Sequence, residues 1–122
     1  MNTIVTFTLM AANAANLCAV PKDVFFRLIE KESNWQHWES KGKVLESVNG
    51  AVGIAQVKPS SAFAGLNVYD PFDNLLAGAC LLQSYKGKGS WEDAARSYNA
   101  GPWRKKTTEA TKSYAGKIAG GK

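Results

Sequence analysis

VFFRLIEKESNW, residues 24–35, places Val24, Phe25, Leu28 and Ile29 at the three-and-four spacing of one helical face. Glu32 follows Ile29 by three residues and Leu28 by four, so it prolongs the apolar stripe. Arg27, Glu30 and Lys31 lie elsewhere around the helix, where charges stay solvated. A carboxylate on an apolar face is costly unless it is paired or protonated. The same cost lets a site keep a carboxylic acid protonated near neutral pH, as a proton donor. The stretch by itself also admits a plainer reading: a satisfied buried Glu, or a helix-end carboxylate that reaches water.

Downstream, Ser33-Asn34 provide a helix stop, and Trp35, His37 and Trp38 follow at once. Two tryptophans beside a candidate acid are either core residues or ring faces on which sugars stack. His37 is the only histidine, which excludes a His-based catalytic triad and a multi-histidine metal site. It reads as a surface or hydrogen-bonding residue. Residues 39–52 are polar and contain glycine, the pattern of a loop with a short hairpin near residues 45–51. Gly50-Ala51-Val52-Gly53-Ile54-Ala55-Gln56-Val57-Lys58-Pro59 comes next. Its glycines permit close backbone approach or positive φ. Gln56 sits among apolar neighbours and needs partners for its amide, either as a buried spacer or as a ligand-binding group. Pro59 is placed to open a short helix through residue 64 that Gly65 ends.

Asp70-Pro71 has the form of a cap and first helical position, and Leu75, Leu76, Ala79, Leu82 and, on the flank, Tyr85 give that helix a core face. Gly87 and Gly89 close it. Ser90 with Asp93 starts another helix, directed inward by Ala94, Ala95 and Tyr98 and stopped at Asn99-Ala100-Gly101-Pro102. A last helix over about residues 108–118 carries Tyr114. Upstream of the opening stretch, residues 4–18 form an Ala-rich helix. They make a poor signal peptide, lacking a positive n-region and broken by Thr6 and Thr8. Pro21 and Asp23 suit the start of the second helix. The expected architecture is mainly α, about five to seven short helices with at most a small β-hairpin. One domain would span residues 1–122.

Composition sets the outer bounds. At 45% hydrophobic and 20% charged the chain is globular, and no run approaches the length needed to span a bilayer. A formal charge of +5 points to a polyanionic partner, nucleic acid or an anionic bacterial envelope. The basic residues are scattered, apart from Arg104-Lys105-Lys106, and no nucleic-acid motif accompanies them. Cys18 and Cys80 fit no metal spacing. They are either a disulfide or two buried thiols, and the sequence leaves both open.

Three of these stretches, in this order, resemble the lytic transglycosylase family of the soluble-transglycosylase type, relatives of goose-type lysozyme. Glu32-Ser33 resembles the family's catalytic Glu-Ser pair at a helix end. Gly53-Ile54-Ala55-Gln56 with Pro59 resembles its Gly-Leu-Met-Gln-x-x-Pro motif, and Tyr98-Asn99-Ala100-Gly101 its Tyr-Asn-Ala-Gly motif. Ser47, Gly50-Ala51, Asn74, Gly78 and Tyr114 are supporting matches. Ala55 in place of a bulky Met and a somewhat long segment from Asn34 to Glu46 are departures that bear on substrate fit. The small form is similar to phage-encoded members of the family, virion-associated or acting at lysis.

The resemblance implies a lysozyme-like α+β superfold with its helices around a substrate cleft, and an enzyme that cleaves peptidoglycan between N-acetylmuramic acid and N-acetylglucosamine. Glu32 would be the single acid and base, with Tyr98 positioning it or the substrate's acetamido group. Ser33 and Gln56 would hold sugar groups, Asn99 would shape the cleft wall, and Tyr114 would lie close to Glu32. No metal or organic cofactor is implied. The expected partner is the peptidoglycan glycan strand, with no nucleic acid and no stable membrane insertion, and the protein would act as a monomer on the cell wall. Two other readings stand beside this one. A lysozyme-type muramidase on the same fold would need a water-activating carboxylate such as Glu39, Glu46 or Asp70. A wall-binding or assembly module would keep the fold without turnover.

Overall fold

The computed structural model describes residues 3–61, 65–100 and 118–119. Helix α1 (Thr3–Leu17) is the expected Ala-rich helix, with Phe7, Ala11, Ala14 and Ala15 buried. Its small side chains let it pack closely on α3 (Pro71–Lys86) and on α2 (Lys22–Ser33), while α4 (Trp91–Ala100) also packs on α3. Ala19 takes a left-handed conformation after α1, and the Val20 amide returns to the Ala15 carbonyl at 2.8 Å, the bond pattern that ends a helix sharply. Pro21 stands at the cap of α2 rather than inside its first turn.

Helix α2 buries the predicted face. Val24, Phe25, Leu28 and Ile29 are in the core, and Asn34 ends the helix in the left-handed region with its amide on the Glu30 carbonyl. Helix α3 starts as its sequence indicates, Asp70 accepting from the Asp73 amide at 2.9 Å with Pro71 in the first turn. Ser90 caps the next helix by accepting from the Asp93 amide at 3.0 Å. Cys18, just past α1, and Cys80 in α3 are joined as a disulfide, which settles that alternative. Gln83 reinforces the junction by donating to the carbonyls of Cys18 and Ala19.

The hairpin lies earlier than expected. Strand β1 (Trp38–Ser40) pairs antiparallel with β2 (Lys43–Val44), and residues 46–57 add only isolated bridges, Glu46 with Val52 and Val52 with Val57. The strand residues are exposed or half-buried, so no alternating apolar face marks them in the sequence. Among the described residues there are four α-helices and one 3-10 turn, Pro59–Ser61, where a short helix through residue 64 was expected. Residues 62–64 and most of the expected last helix, Tyr114 included, lie outside the described residues, though Ile118 and Ala119 are helical and Ile118 is buried. Arg27 holds that end by donating to the carbonyls of Ile118 at 2.7 Å and Ala119 at 3.1 Å.

Candidate active site

Glu32 occupies the last turn of α2, half-buried where the apolar stripe reaches the surface. Beside it in sequence, Ser33 turns its hydroxyl inward, donating to the Ile54 carbonyl at 2.6 Å across a separation of 21 residues. Ile54 belongs to the turn Gly53-Ile54-Ala55-Gln56, which side chains from three other parts of the chain also hold. The Ile54 amide donates to His37 Nδ1 at 3.1 Å. The Ala55 amide donates to Asn74 Oδ1 at 2.7 Å, and the Ala55 carbonyl accepts from the Tyr98 hydroxyl at 2.5 Å. The Gly53 amide donates to the Leu45 carbonyl at 2.7 Å. A buried loop of this kind stands only if its backbone groups are partnered, and these are.

The turn is tight for a steric reason. Gly53 has φ +74°, and a Cβ there would lie 2.5 Å from Asn74 Nδ2 and 2.7 Å from His37 Cε1. Gln56 closes the turn in the left-handed region at φ +53°, a conformation that costs a side chain about 1 kcal/mol. Its own groups offset that cost, since both its backbone amide and its Nε2 donate to the Gly53 carbonyl, at 3.0 and 2.9 Å. Asn74 is fully buried and satisfied. Besides holding Ala55, it donates to the carbonyls of Val52 at 2.7 Å and Val68 at 2.8 Å.

Tyr98 reaches the turn from α4 because Gly78 of α3 leaves it room. Burial raises the Tyr98 phenol well above its ordinary pKa, and the neighbouring charges of Glu32 and Tyr85 add to that rise. The phenol is therefore a permanent donor, and the charge of Glu32 is close enough to act on it. Tyr85 sets its ring edge-on against Tyr98, centroids 6.5 Å apart. The structure thus brings together Glu32, Ser33, the 53–56 turn with Gln56, and Tyr98. Asn99 is exposed on α4. Trp35 is half-buried, edge-on to Phe26, whereas Trp38 is 40% exposed with its ring against Phe7 and His37.

The other carboxylates weighed for a second catalytic role are otherwise engaged or outward-facing. Asp70 caps α3, Glu39 pairs with Lys43 at 3.1 Å, and Glu46 is exposed. His37 departs from a surface placement: it is 1% exposed, and its Nε2 pairs with the Tyr69 carbonyl at 2.8 Å. Nδ1 accepts from Ile54, so Nε2 carries the proton and the ring is neutral. Burial lowers its pKa from the usual 6.5, while the Tyr69 carbonyl and the charge of Asp70 act in the opposite direction. Asn74, noted in the sequence only as a supporting match, is the other key holder of the turn. A polar side chain one position before Leu75, on the buried side of a helix, is the signal that marks it. Among the described residues no group of three or more His, Cys, Asp or Glu could hold a metal ion, and no helix is long and apolar enough to cross a membrane.

Residues 10–119 match the Transglycosylase SLT domain family. No curated protein matches the chain. Among solved structures, an inactive mutant of the lytic transglycosylase Slt from Pseudomonas aeruginosa superposes with a TM-score of 0.73 at 20% identity, over 90% of this chain and 22% of that one. The 70 kDa soluble lytic transglycosylase of Escherichia coli gives 0.64 at 21% identity, over 91% of this chain and 18% of the other. The 70 kDa soluble lytic transglycosylase in complex with bulgecin A also gives 0.64, at 19% identity over 90% and 18%. At such identities the likeness speaks for the fold, and the chain spans only 18% to 22% of the length of those relatives. With the family match covering most of its length and its fold that of the soluble lytic transglycosylases, the chain belongs to the Transglycosylase SLT domain family.

Proposed function

We infer that this protein is a peptidoglycan lytic transglycosylase that cuts the β-1,4 bond between N-acetylmuramic acid and N-acetylglucosamine, with Glu32 as its single acid and base. The observation that carries the reading is the meeting of Glu32, at the mouth of an apolar helix face, with a Tyr98 phenol that is locked onto the Ala55 carbonyl and within reach of the Glu32 charge. Glu32 gives its proton to the glycosidic oxygen as the bond to C1 of the muramic acid breaks. The substrate's own 2-acetamido oxygen stabilises the positive centre, which is why a second carboxylate is dispensable where most glycosidases need one. Glu32, now ionised, takes the proton of the 6-hydroxyl while that oxygen bonds C1, closing a 1,6-anhydro ring and consuming no water.

Tyr98 acts as a fixed neighbour of Glu32, its hydrogen committed to the Ala55 carbonyl. Ser33, also committed as a donor, keeps acceptor capacity for a sugar hydroxyl, and Gln56 offers its carbonyl oxygen. Asn99 shapes the wall, and Tyr114 is assigned a place near Glu32. The engaged states of Asp70 and Glu39 favour one carboxylate over a water-activating pair. The net charge of +5 suits an acidic wall polymer, and the disulfide suits an oxidising site of action outside the cytoplasm.

Mass spectrometry of muropeptides released from purified peptidoglycan tests the reading. Products one water lighter than reducing-end muropeptides, and resistant to borohydride, are expected. Glu32→Gln should lower release by about 10²–10⁴-fold with the fold intact. Reducing ends would replace the transglycosylase by a muramidase, and full activity of Glu32→Gln would remove Glu32 from the chemistry.

A further inference from the structure

We propose that His37 is a positioning residue for the cleft, holding the 53–56 turn in its working shape only while its ring is neutral. The ring bridges two segments far apart in sequence, taking the Ile54 amide on Nδ1 at 3.1 Å and pairing Nε2 with the Tyr69 carbonyl at 2.8 Å. Ile54 is also the residue whose carbonyl takes the Ser33 hydroxyl, and Ala55, next along, takes the Tyr98 hydroxyl. A proton added at Nδ1 would face the Ile54 N–H donor to donor. The bond would be lost, and a buried amide left unpartnered. The turn cannot absorb the change by relaxing toward the ring, because a Cβ-sized gap does not exist between Gly53, His37 Cε1 and Asn74. Its displacement therefore passes to Ser33 and Tyr98.

The surroundings favour the neutral ring. Phe7 of α1, Trp38 of β1, Gly53 and Asn74 bring it no charge, and Tyr69 contributes a backbone carbonyl and an exposed phenol. Among the described residues, Asp70, at the start of α3, is the charged group whose field raises the His37 pKa, and burial outweighs it. Because the folded pKa lies below the unfolded 6.5, the stability due to the neutral ring is complete above pH 6.5 and declines as pH falls toward the folded value.

The consequence for turnover rests on the single-acid mechanism proposed above. An enzyme that needs only Glu32 protonated before it acts has an alkaline limb in its pH profile and no acidic one. Proton uptake by His37 supplies the acidic limb. The chain has one histidine, so its Cε1–H resonance is unambiguous in a proton NMR titration. Initial rates of glycan release from purified peptidoglycan sacculi would be measured against pH alongside that titration. Below the His37 midpoint the rate should fall roughly tenfold per pH unit. The Ala55 and Gln56 amide resonances should move with the same midpoint. His37→Gln keeps an acceptor and a donor on one planar group without titrating, and should hold its rate within about twofold across that range.

An acidic limb that persists unchanged in His37→Gln would overturn the proposal. Should that variant not fold, the wild-type protein decides: midpoints of rate and ring that disagree overturn it, and coincident ones support it. If the wild type releases no anhydro products even at neutral pH, the transglycosylase reading fails separately. The co-titration of Ala55 and Gln56 with His37 still decides whether the ring holds the turn.

Discussion

Gly78 has no side chain, and the atoms that one would meet belong to the 53–56 turn and to Tyr98. In a helix interior Gly78→Ala would by propensity alone stabilise by about 1 kcal/mol. The new methyl, however, would stand 2.6 Å from Ala55 Cβ and 3.0 Å from the Tyr98 hydroxyl. Overpacking of this kind costs about 1–3 kcal/mol, and Ala55 cannot yield easily with both its amide and its carbonyl held. Sterics wins, so Gly78→Ala should lower the melting temperature and cut glycan release about tenfold as the phenol is displaced. A raised melting temperature with unchanged release would show that the turn gives way freely. At this scale the sequence was readable where spacing spoke. Glu32 extends the face of Leu28 and Ile29, and that face is buried with Glu32 at its rim. His37 was not readable in the same way, because a histidine followed by an exposed Trp38 and Glu39 has no periodic context to show it buried.

Helix α3 is the element to which the rest is fastened. Beyond its own cap at Asp70, its Asp73 takes the Asn67 amide, Asn74 and Gly78 meet the 53–56 turn and Tyr98, and Cys80 with Gln83 holds the end of α1. Losing the cap with Asp70→Ala should cost about 1 kcal/mol, seen as a drop of about 4 °C in melting temperature. The same substitution removes the charge that raises the His37 pKa, so the His37 NMR midpoint should fall further below 6.5. An unmoved midpoint would mean that Asp70 does not act on the ring. Elements with chemical punctuation were legible before the structure: Asp70-Pro71, Ser90 with Asp93, and the Asn34 stop all fall where their side chains dictate. The hairpin was not, because its turn rests on Gly42 at φ +77° between strands with no buried side.

Across the whole molecule, the Cys18–Cys80 bond ties the end of α1 to the middle of α3 over a separation of 62 residues. A loop of that length corresponds to about 4 kcal/mol on the chain-entropy account. Denaturant unfolding with and without reductant should differ by roughly that amount, and a difference under about 1 kcal/mol would mean that the reduced, unfolded chain keeps residual structure around the junction. A different consequence follows from the four side chains that hold residues 53–56. His37, Asn74, Ser33 and Tyr98 reach the turn across 17, 19, 21 and 43 residues of chain. A turn held by side chains from four separate places is complete only when all four are in position. We expect it to complete late in folding, so that weakening it speeds unfolding more than it slows folding. A chain that has assembled its helices but not this turn already has its shape and still lacks the joined residues of the site, so the proposed activity would be the last property the protein acquires and the first it gives up.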